Sequence, residues 1–252
     1  MKLESYTPGH SRNASDFMAK RTLESHGAFF IPHLDGKRTV LDCGCGPGTI
    51  TLDIARRVAP AEVVGVDFGQ SQIERASEAA VQAGLSNAKF KVADCYALPF
   101  ADSTFDRVFS HALIEHLGEP VRALRDMYRV LKPGGIIGLC SPDWDGFVLA
   151  PPSSELTSAV AAYTAMQSRN GGDVNAGRKL GAHLETAGFD HVQMSARYEC
   201  YPSLKFIGEY LALQLEDQGD ARSAATLRTW SQRKAGIFAQ AWISAVARRS
   251  AL

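Results

Sequence analysis

The turn that follows the first apolar run is the feature that most constrains the fold of this chain. Residues 39–41 lead into Asp42, which is followed by three alternating glycines, Gly44, Gly46 and Gly48. A helix-like segment begins directly afterwards, so the glycines occupy a strand-to-helix turn. Residues without a Cβ allow a sharp turn and a close approach of the backbone to a ligand. The pattern therefore predicts an α/β fold with a binding site at this turn.

A second apolar run, residues 63–66, ends in Asp67. A carboxylate at the tip of the second strand is placed to accept hydrogen bonds from both hydroxyls of a ribose. Together with the glycine turn, this carboxylate predicts an adenosine-type cofactor.

Details of the first turn decide which cofactor fits. A dinucleotide fingerprint needs a third glycine where the chain has Thr49, because the pyrophosphate sits on the amides of the following helix. Asp42 would repel a pyrophosphate but suits an ammonium or sulfonium charge. No Gly-Lys-Ser/Thr sequence follows the turn, which excludes a nucleoside triphosphate loop.

The pattern Asp-x-Gly-x-Gly-x-Gly resembles the first motif of the class I methyltransferases that use S-adenosyl-L-methionine and release S-adenosyl-L-homocysteine. Three further segments resemble later motifs of the family in the same order: 91–95, 105–117 and 129–135. The resemblance covers about residues 38–140. It is strongest to small-molecule enzymes related to the quinone-biosynthesis C-methyltransferases.

The resemblance implies an α/β, Rossmann-like fold: a seven-stranded, mostly parallel sheet of strand order 3-2-1-4-5-7-6, flanked by helices. We expect one methyltransferase domain over residues 1–252, with a core at about 35–140 and an N-terminal helical cap at 1–34. Helical insertions at 141–175 and 202–235 are expected to form a lid over the substrate.

Periodicity and turn residues predict the individual elements. The predicted strands are 38–43, 62–67, 88–93, 105–110, 135–140 and 190–199. The predicted helices are 15–32, 48–58, 70–84, 119–131, 153–169, 178–188 and a helical region at 202–234. Residues 141–146 are expected to form a loop. Residues 238–248 fit either a helix or a strand, and the resemblance favours a final antiparallel strand.

The resemblance also assigns a set of cofactor-binding residues. In the family, an Asp at the end of the third strand accepts a hydrogen bond from the adenine amino group. The carboxylate that binds the ribose hydroxyls is that of Asp67. Arg21 is expected either to pair with the methionine carboxylate of the cofactor or to lie on a helix surface. The full set is Tyr6, Arg21, Asp42, Gly44, Cys45, Gly46, Asp67, Phe68, Gln72, Ala93, Asp94, Cys95 and His111.

Two histidines after the fourth strand, His111 and His116, are candidate catalytic residues. A base is needed only if the nucleophile carries a proton that must leave. The alternative for both is a structural role, hydrogen-bonding the cofactor or the loop. Asp143 and Trp144 are candidate substrate-binding residues, with a solvated loop as the alternative.

Composition limits the partners and the location. Lys plus Arg equals Asp plus Glu, at 27 each, so the chain lacks the basic excess usual in nucleic-acid binders. No apolar run approaches the length of a membrane span, and residues 1–5 lack a signal-peptide core, so a cytoplasmic protein is expected. The Cys43–Cys45 pair supplies too few ligands for a closed zinc site, and we expect no metal and no arsenic chemistry.

The function predicted from the sequence is methyl transfer to an oxygen, nitrogen or carbon atom of a small, apolar or aromatic metabolite. A protein or RNA methyltransferase is the main alternative, and a non-catalytic binder of S-adenosylmethionine is another. A nicotinamide-dependent oxidoreductase ranks third, since no Tyr-x-x-x-Lys stands at a fitting position. The sequence leaves a homodimer open.

Overall fold

The computed structural model describes residues 17–201 and 203–251. Its strands are β1 Val40–Cys43, β2 Val63–Asp67, β3 Ala88–Val92, β4 Phe105–His111, β5 Leu131–Ala150, β6 Asp190–Cys200 and β7 Ile237–Arg248. Its α-helices are α1 Leu23–His26, α2 Thr49–Val58, α3 Gln70–Gln82, α4 Pro120–Val130, α5 Ser154–Arg169, α6 Ala176–Ala187, α7 Leu204–Asp217 and α8 Ala221–Ser231. Two short 3₁₀ helices span Ala28–His33 and Ile114–His116.

The strands form one sheet of order β3-β2-β1-β4-β5-β7-β6, which confirms the predicted topology. The ladders β1–β2, β2–β3, β1–β4 and β4–β5 are parallel, and β7 runs antiparallel to β5 and β6. The strand order reverses between β1 and β4. A ligand in such a sheet binds in the crevice outside the carboxyl ends of the strands at this reversal.

The sheet separates two apolar cores, and a third lies against the parts of β5 and β7 that extend past the end of β4. Helices α2 and α3 bury one face with residues such as Ile54 and Ala80, and α4 and α6 bury the other with Leu124 and Leu180. Helices α5, α7 and α8 form the third core with aromatic residues of β5 and β7. The helices of the described residues are too short or too polar to cross a lipid bilayer.

Gly48 shows why the first turn needs glycine. Its φ is +81°, a conformation that residues with a Cβ rarely adopt. A Cβ there would lie 2.7 Å from the Ala76 Cβ and 3.0 Å from the Phe90 ring. The missing side chain therefore lets α2 begin directly above β1, packed against α3 and β3.

The predicted continuous helix at 15–32 is wrong within the described residues. The chain forms the four-residue α1 and then a 3₁₀ helix. Thr22 caps α1 by accepting a hydrogen bond from the Ser25 amide at 3.1 Å, and Gly27 ends it. A capping residue in the middle of the apolar pattern starts a new helix, which the pattern alone does not register.

The loop predicted at 141–146 is also wrong. Strand β5 continues to Ala150, past the end of β4, and pairs there with β7. The β4 ladder ends at Cys140, so Pro142 lies where β5 has a neighbour on one side only, a position that proline tolerates. The register shifts between Asp143 and Val148. Cross-strand pairing here outweighs the local turn preference. The strand at 238–248 is confirmed as β7.

Candidate active site

A cavity of about 450 Å³ lies beside the turns that follow β1 to β4; we call it the large cavity. It brings together every predicted cofactor residue that the structure describes: Arg21, Asp42, Gly44, Cys45, Gly46, Asp67, Phe68, Gln72, Ala93, Asp94, Cys95 and His111. Tyr6 lies outside the described residues. Residues from five separate segments of the chain thus meet at the strand-order reversal.

Asp67 connects two of these turns. Its Oδ2 accepts from the Gly46 amide at 2.9 Å, and its Oδ1 accepts from the Gly69 amide at 2.8 Å. A carboxylate has about four acceptor sites, so both oxygens retain capacity for a further donor. Asp67 can therefore hold the two turns and accept from a diol at the same time.

Glycines of the first turn line the large cavity with backbone that carries no side chain. Gly44 and Gly46 have φ values of +78° and +52°. A Cβ on Gly44 would lie 3.1 Å from the Leu113 Cβ, whereas one on Gly46 would meet only the Met18 sulfur, at 3.9 Å. Backbone without a side chain therefore faces the cavity at Gly46, which allows close approach of a ligand.

Asp42 is a buried carboxyl group in the large cavity. The Thr51 hydroxyl donates to its Oδ2 at 2.6 Å. Burial raises the pKa of Asp42 to about 7 despite this hydrogen bond, and the nearby Asp67 charge adds to the increase. A cation bound beside Asp42 would favour its ionised form.

The outer end of the large cavity carries the residues predicted to hold adenine. Phe68 is 78% exposed, so its ring is available to stack on a ligand. The Asp94 Oδ1 accepts from the Tyr96 amide at 2.8 Å, which fixes the carboxylate on its turn.

Burial raises the pKa values of the Cys43 and Cys45 thiols well above their usual range, so both stay protonated and act as small packing groups.

A second cavity, of about 60 Å³, adjoins the first; we call it the small cavity. The two share Met18, Arg21, Ala112 and His116. Six aromatic side chains line the small cavity: Phe17, Trp144, Tyr163, Tyr201, Tyr210 and Trp242. They come from the N-terminal segment, β5, α5, the residue after β6, α7 and β7, so the small cavity lies between the sheet and the helical additions.

Arg21 faces both cavities. Its guanidinium lies 5.3 Å from the Trp242 ring centroid and 5.8 Å from that of Phe17. Across residues 17–201 and 203–251 it has no acidic side chain within ion-pair distance. A half-buried cation at this boundary is suited to an anionic ligand group.

Both candidate histidines are neutral imidazoles. Burial lowers the pKa of His116 to about 3, and the Arg21 charge adds to the effect. Burial also holds the pKa of His111 well below 6.5. The His111 ring packs 4.7 Å from Trp242 and 5.1 Å from His26, centroid to centroid, and its two nitrogens have no hydrogen-bond partner among the described residues.

The structure places the two predicted substrate residues in different surroundings. Trp144 lines the small cavity, 4.9 Å from the Tyr163 ring. Asp143 lines neither cavity. Its two carboxylate oxygens accept from Arg178 at 2.6 Å each, and although burial opposes it, this ion pair holds the pKa of Asp143 below its usual value. The geometry gives Asp143 the role of joining β5 to α6.

The sequence analysis did not select Glu115, which lines the small cavity and is 2% exposed. The Ser141 hydroxyl donates to its Oε2 at 2.9 Å. Burial raises the pKa of Glu115 to about 7. Its position in the motif beside His116 was the available signal, but its burial depends on residues far along the chain.

A family model described as a methyltransferase domain matches residues 34–192. The chain belongs to this family. The match runs to the third residue of β6, well beyond the glycine turn that first suggested the resemblance.

Individual relatives agree with this assignment. An uncharacterized methyltransferase of Schizosaccharomyces pombe is 36% identical over 138 residues, which are 52% of this chain and 50% of that protein. The trans-aconitate 2-methyltransferase of Methylobacterium radiotolerans is 33% identical over 156 residues, 62% of this chain and 56% of that one. The chain thus spans about half the length of these curated relatives.

Solved structures support the fold. The crystal structure of the YcgJ protein of Bacillus subtilis superposes with a TM-score of 0.66 at 17% identity, covering 88% of this chain and 97% of that one. At this identity the likeness concerns architecture alone. The class I methyltransferase fold predicted from the sequence is confirmed, and the quinone-related subgroup stays a prediction.

Proposed function

We propose that the protein transfers the methyl group of S-adenosylmethionine to a small molecule, with the cofactor in the large cavity and the acceptor in the small one. The observation that carries this proposal is the contact between the two cavities at Met18, Arg21, Ala112 and His116. A shared boundary lets two ligands meet within reacting distance, and such positioning supplies much of the rate of a displacement.

The residues of the large cavity fit S-adenosylmethionine, which would supply an electrophilic methyl group on a positively charged sulfur. Asp67 retains acceptor capacity for the ribose hydroxyls after binding two backbone amides. Asp42 is a buried carboxyl group whose ionised form a sulfonium would stabilise. Arg21 is placed to bind the methionine carboxylate with two parallel hydrogen bonds.

The size of the small cavity favours a metabolite over a macromolecule. A volume of about 60 Å³ has room for roughly four to six water molecules, whereas a cavity that binds benzene is about 150 Å³. A small ring would therefore also extend into the boundary shared with the large cavity. Its six aromatic side chains offer flat surfaces to such a ligand. A protein or RNA methyltransferase would instead need an extended groove, with a basic surface for RNA.

Helices α5 and α7 line one side of the small cavity with Tyr163, Gln167, Ile207, Tyr210 and Leu211, and we infer that they serve as the lid expected from the sequence. In this proposal the core of the sheet binds the methyl donor, and the helical additions decide which acceptor enters.

Cofactor binding can be tested by calorimetry of the whole chain with S-adenosylmethionine and S-adenosylhomocysteine. We expect saturable binding of both. Methyl transfer is then sought by incubating the protein and a labelled methyl donor with metabolite extract. Absence of binding for both compounds would overturn the proposal. Binding without any labelled product from small-molecule extracts would also overturn it, in favour of a macromolecular substrate or a non-catalytic binder.

A further inference from the structure

We propose that Glu115 is the general base of methyl transfer and that Glu115 and Gln240 together select a planar acceptor with two hydroxyl groups, a dihydric phenol or a close analogue. The inference rests on the proposed function and deepens it. It assigns a catalytic residue and a specificity-determining residue to the small cavity.

Gln240 on β7 presents an acceptor that lacks a donor. Its side chain is 2% exposed, and its Nε2 donates to the backbone carbonyls of Asp143 at 2.9 Å and Ala241 at 3.2 Å. These two bonds fix the orientation of the amide, so its Oε1 must accept. Among the described residues that Oε1 has no partner, and an unpaired buried acceptor is unfavourable. A ligand hydroxyl in the small cavity would satisfy it.

Glu115 presents a second acceptor to the same cavity. Ser141 holds its Oε2, while its Oε1 lies 3.8 Å from the His116 Nε2, beyond hydrogen-bond distance. The Ser141 hydroxyl and the Glu115 backbone amide both bind and orient the carboxyl group. A carboxylate has about four acceptor sites, so it keeps capacity for a further donor. Glu115 stands next to His116, which lines both cavities, so its carboxyl group lies close to their boundary.

The two acceptors are held at different points of one strand. Glu115 is tied to Ser141, and Gln240 to the carbonyl of Asp143, two residues further along β5. Two residues of extended strand span about 7 Å. A single aromatic ring with two hydroxyl groups covers a spacing of this order, and the aromatic walls, Trp144 and Trp242 among them, suit its flat faces.

The presence of a base indicates a hydroxyl nucleophile. A neutral amine can attack a methyl group before it loses its proton, whereas a hydroxyl oxygen becomes a strong nucleophile only as its proton leaves. In the proposed step the acceptor O–H bond breaks and the proton goes to Glu115. The oxygen electron pair forms the new bond to the methyl carbon, and the methyl–sulfur bond breaks with its electron pair remaining on sulfur. The products are a methyl ether, protonated Glu115 and a neutral thioether.

The electrostatics of the small cavity support Glu115 over His116 as the base. The pKa of Glu115, raised to about 7 by burial, matches a working pH near neutrality, which is where general bases are most effective. The pKa of His116, lowered to about 3, makes that imidazole a weak base.

The groups around Glu115 leave it as the one that titrates near neutrality. Arg21 faces it from the N-terminal segment, His116 from its own turn, and Cys140 and Tyr210 from β5 and α7. Burial raises the pKa of Cys140 to about 12 and also raises that of Tyr210. The Asp173 carboxylate, on the loop whose amide binds the Glu115 carbonyl, is paired with Lys179. At saturating S-adenosylmethionine, where donor binding no longer depends on the ionisation of Asp42, turnover should therefore rise between pH 6 and 8 as Glu115 ionises.

The binding part of the inference is tested by calorimetry on protein saturated with S-adenosylhomocysteine. The probes are catechol, resorcinol and hydroquinone, which place two hydroxyls at three spacings, each compared with its dimethyl ether. At least one diphenol should bind tenfold or more tightly than its ether, and Gln240→Met should remove most of that preference. Equal binding of all three diphenols and their ethers would overturn the inference.

The catalytic part is tested with Glu115→Gln, which keeps a group that Ser141 can bind. Exposed Glu185→Gln is the matched control. Glu115→Gln should bind S-adenosylhomocysteine within twofold of the parent, which also shows that it folds, while methyl transfer to the bound diphenol falls about a hundredfold or more and loses its rise between pH 6 and 8. Unchanged turnover and pH profile in this variant would overturn the role of Glu115, as would selective binding with no transfer to any diphenol.

These outcomes are distinct from failure of the proposed function itself. If the parent protein bound neither S-adenosylmethionine nor S-adenosylhomocysteine, the proposed function would fail. Intact cofactor binding with no discrimination between diphenol and ether would remove this inference alone.

Discussion

The large and small cavities each contain one buried carboxyl group that accepts a hydrogen bond from a hydroxyl, and burial raises both pKa values to about 7. They differ in where the hydroxyl comes from. Thr51 lies 9 residues from Asp42, within the same turn and helix. Ser141 lies 26 residues from Glu115, on the next strand of the sheet. The same chemical arrangement is thus built locally in one cavity and by tertiary packing in the other.

This difference extends to the rest of the walls. The large cavity is formed by short turns and by backbone exposed at glycines, so residue spacing along the chain largely determines it. The small cavity is formed by side chains from β5, β7, α5 and α7, whose mutual arrangement depends on the whole fold. We expect changes in the first to affect folding and donor binding, and changes in the second to affect the acceptor.

The largest effect is expected for Gly48→Val. The added side chain would meet Ala76 and Phe90 at a backbone φ of +81°, and overpacking together with backbone strain costs about 3 kcal/mol or more. Urea denaturation of this variant and of Gly219→Val measures the difference. Gly219 also has a positive φ, but no atom lies within 4 Å of its Cβ position. Equal losses in the two variants would show that tight packing under the first turn is unimportant.

Asp67→Ala should come next, with a loss of affinity for S-adenosylmethionine of about 1–3 kcal/mol, since a charged hydrogen-bond acceptor and the anchor of two turns are removed. Calorimetry measures the change, and exposed Asp217→Ala is the control. If Asp67→Ala bound the cofactor as tightly as the control, the proposed ribose contact would be refuted.

Asp42→Asn tests the local carboxyl pair through pH. In the free protein, the raised pKa of Asp42 contributes stability below pH 4 that is lost as pH rises through about 7. At pH 8 the Asn variant should therefore be the more stable, by up to about 4 kcal/mol at 1.36 kcal/mol per pKa unit. Thermal or urea unfolding at pH 5 and pH 8 measures this difference in stability, which should be larger at pH 8.

The same variant tests the sulfonium contact. Parental affinity for S-adenosylmethionine should rise from pH 5.5 to 7.5 as Asp42 ionises, because the ionised carboxylate attracts the positive sulfur. The rise should be absent in Asp42→Asn and weak for S-adenosylhomocysteine, whose sulfur is neutral. Identical pH profiles for the two ligands would place the sulfonium away from Asp42.

The smallest effect on the donor is expected for Tyr210→Phe, which removes one hydroxyl from the small cavity and keeps the ring. Calorimetry should give an affinity for S-adenosylmethionine within twofold of the parent, while the KM of the acceptor changes severalfold. A loss of donor binding as large as that of Asp67→Ala would mean that the two cavities do not divide the ligands as proposed.

The sequence predicted the strand order and the large cavity because both follow from local rules. Asp42, the glycines and Asp67 lie at ends of strands, and parallel strands bring those ends to one edge of the sheet. The small cavity could not be predicted in this way. Glu115 and Gln240 are 125 positions apart in the numbering, and their burial follows from how β7 pairs with β5.

The two wrong element predictions have the same origin. Residues 141–146 contain turn-forming residues, but pairing with β7 extends them into a strand. The helix expected at 15–32 is divided by the Thr22 cap. Long-range pairing of several residues in the first place, and one local capping bond in the second, outweigh the average preference of the segment.

The extension of β5 past β4 has a consequence for how this enzyme family can diversify. Pro142 and Trp242 are direct cross-strand partners and both line the small cavity, so one wall of it belongs to the β5–β7 ladder. Strand β5 also pairs with β4, whose last residue, His111, lines the large cavity. Under the proposed function, new acceptor preferences can therefore arise from changes on the helical side of the small cavity while the strand side stays the same. Positions on α5 and α7, such as Tyr163 and Tyr210, can be exchanged while the ladder holds the geometry of transfer constant.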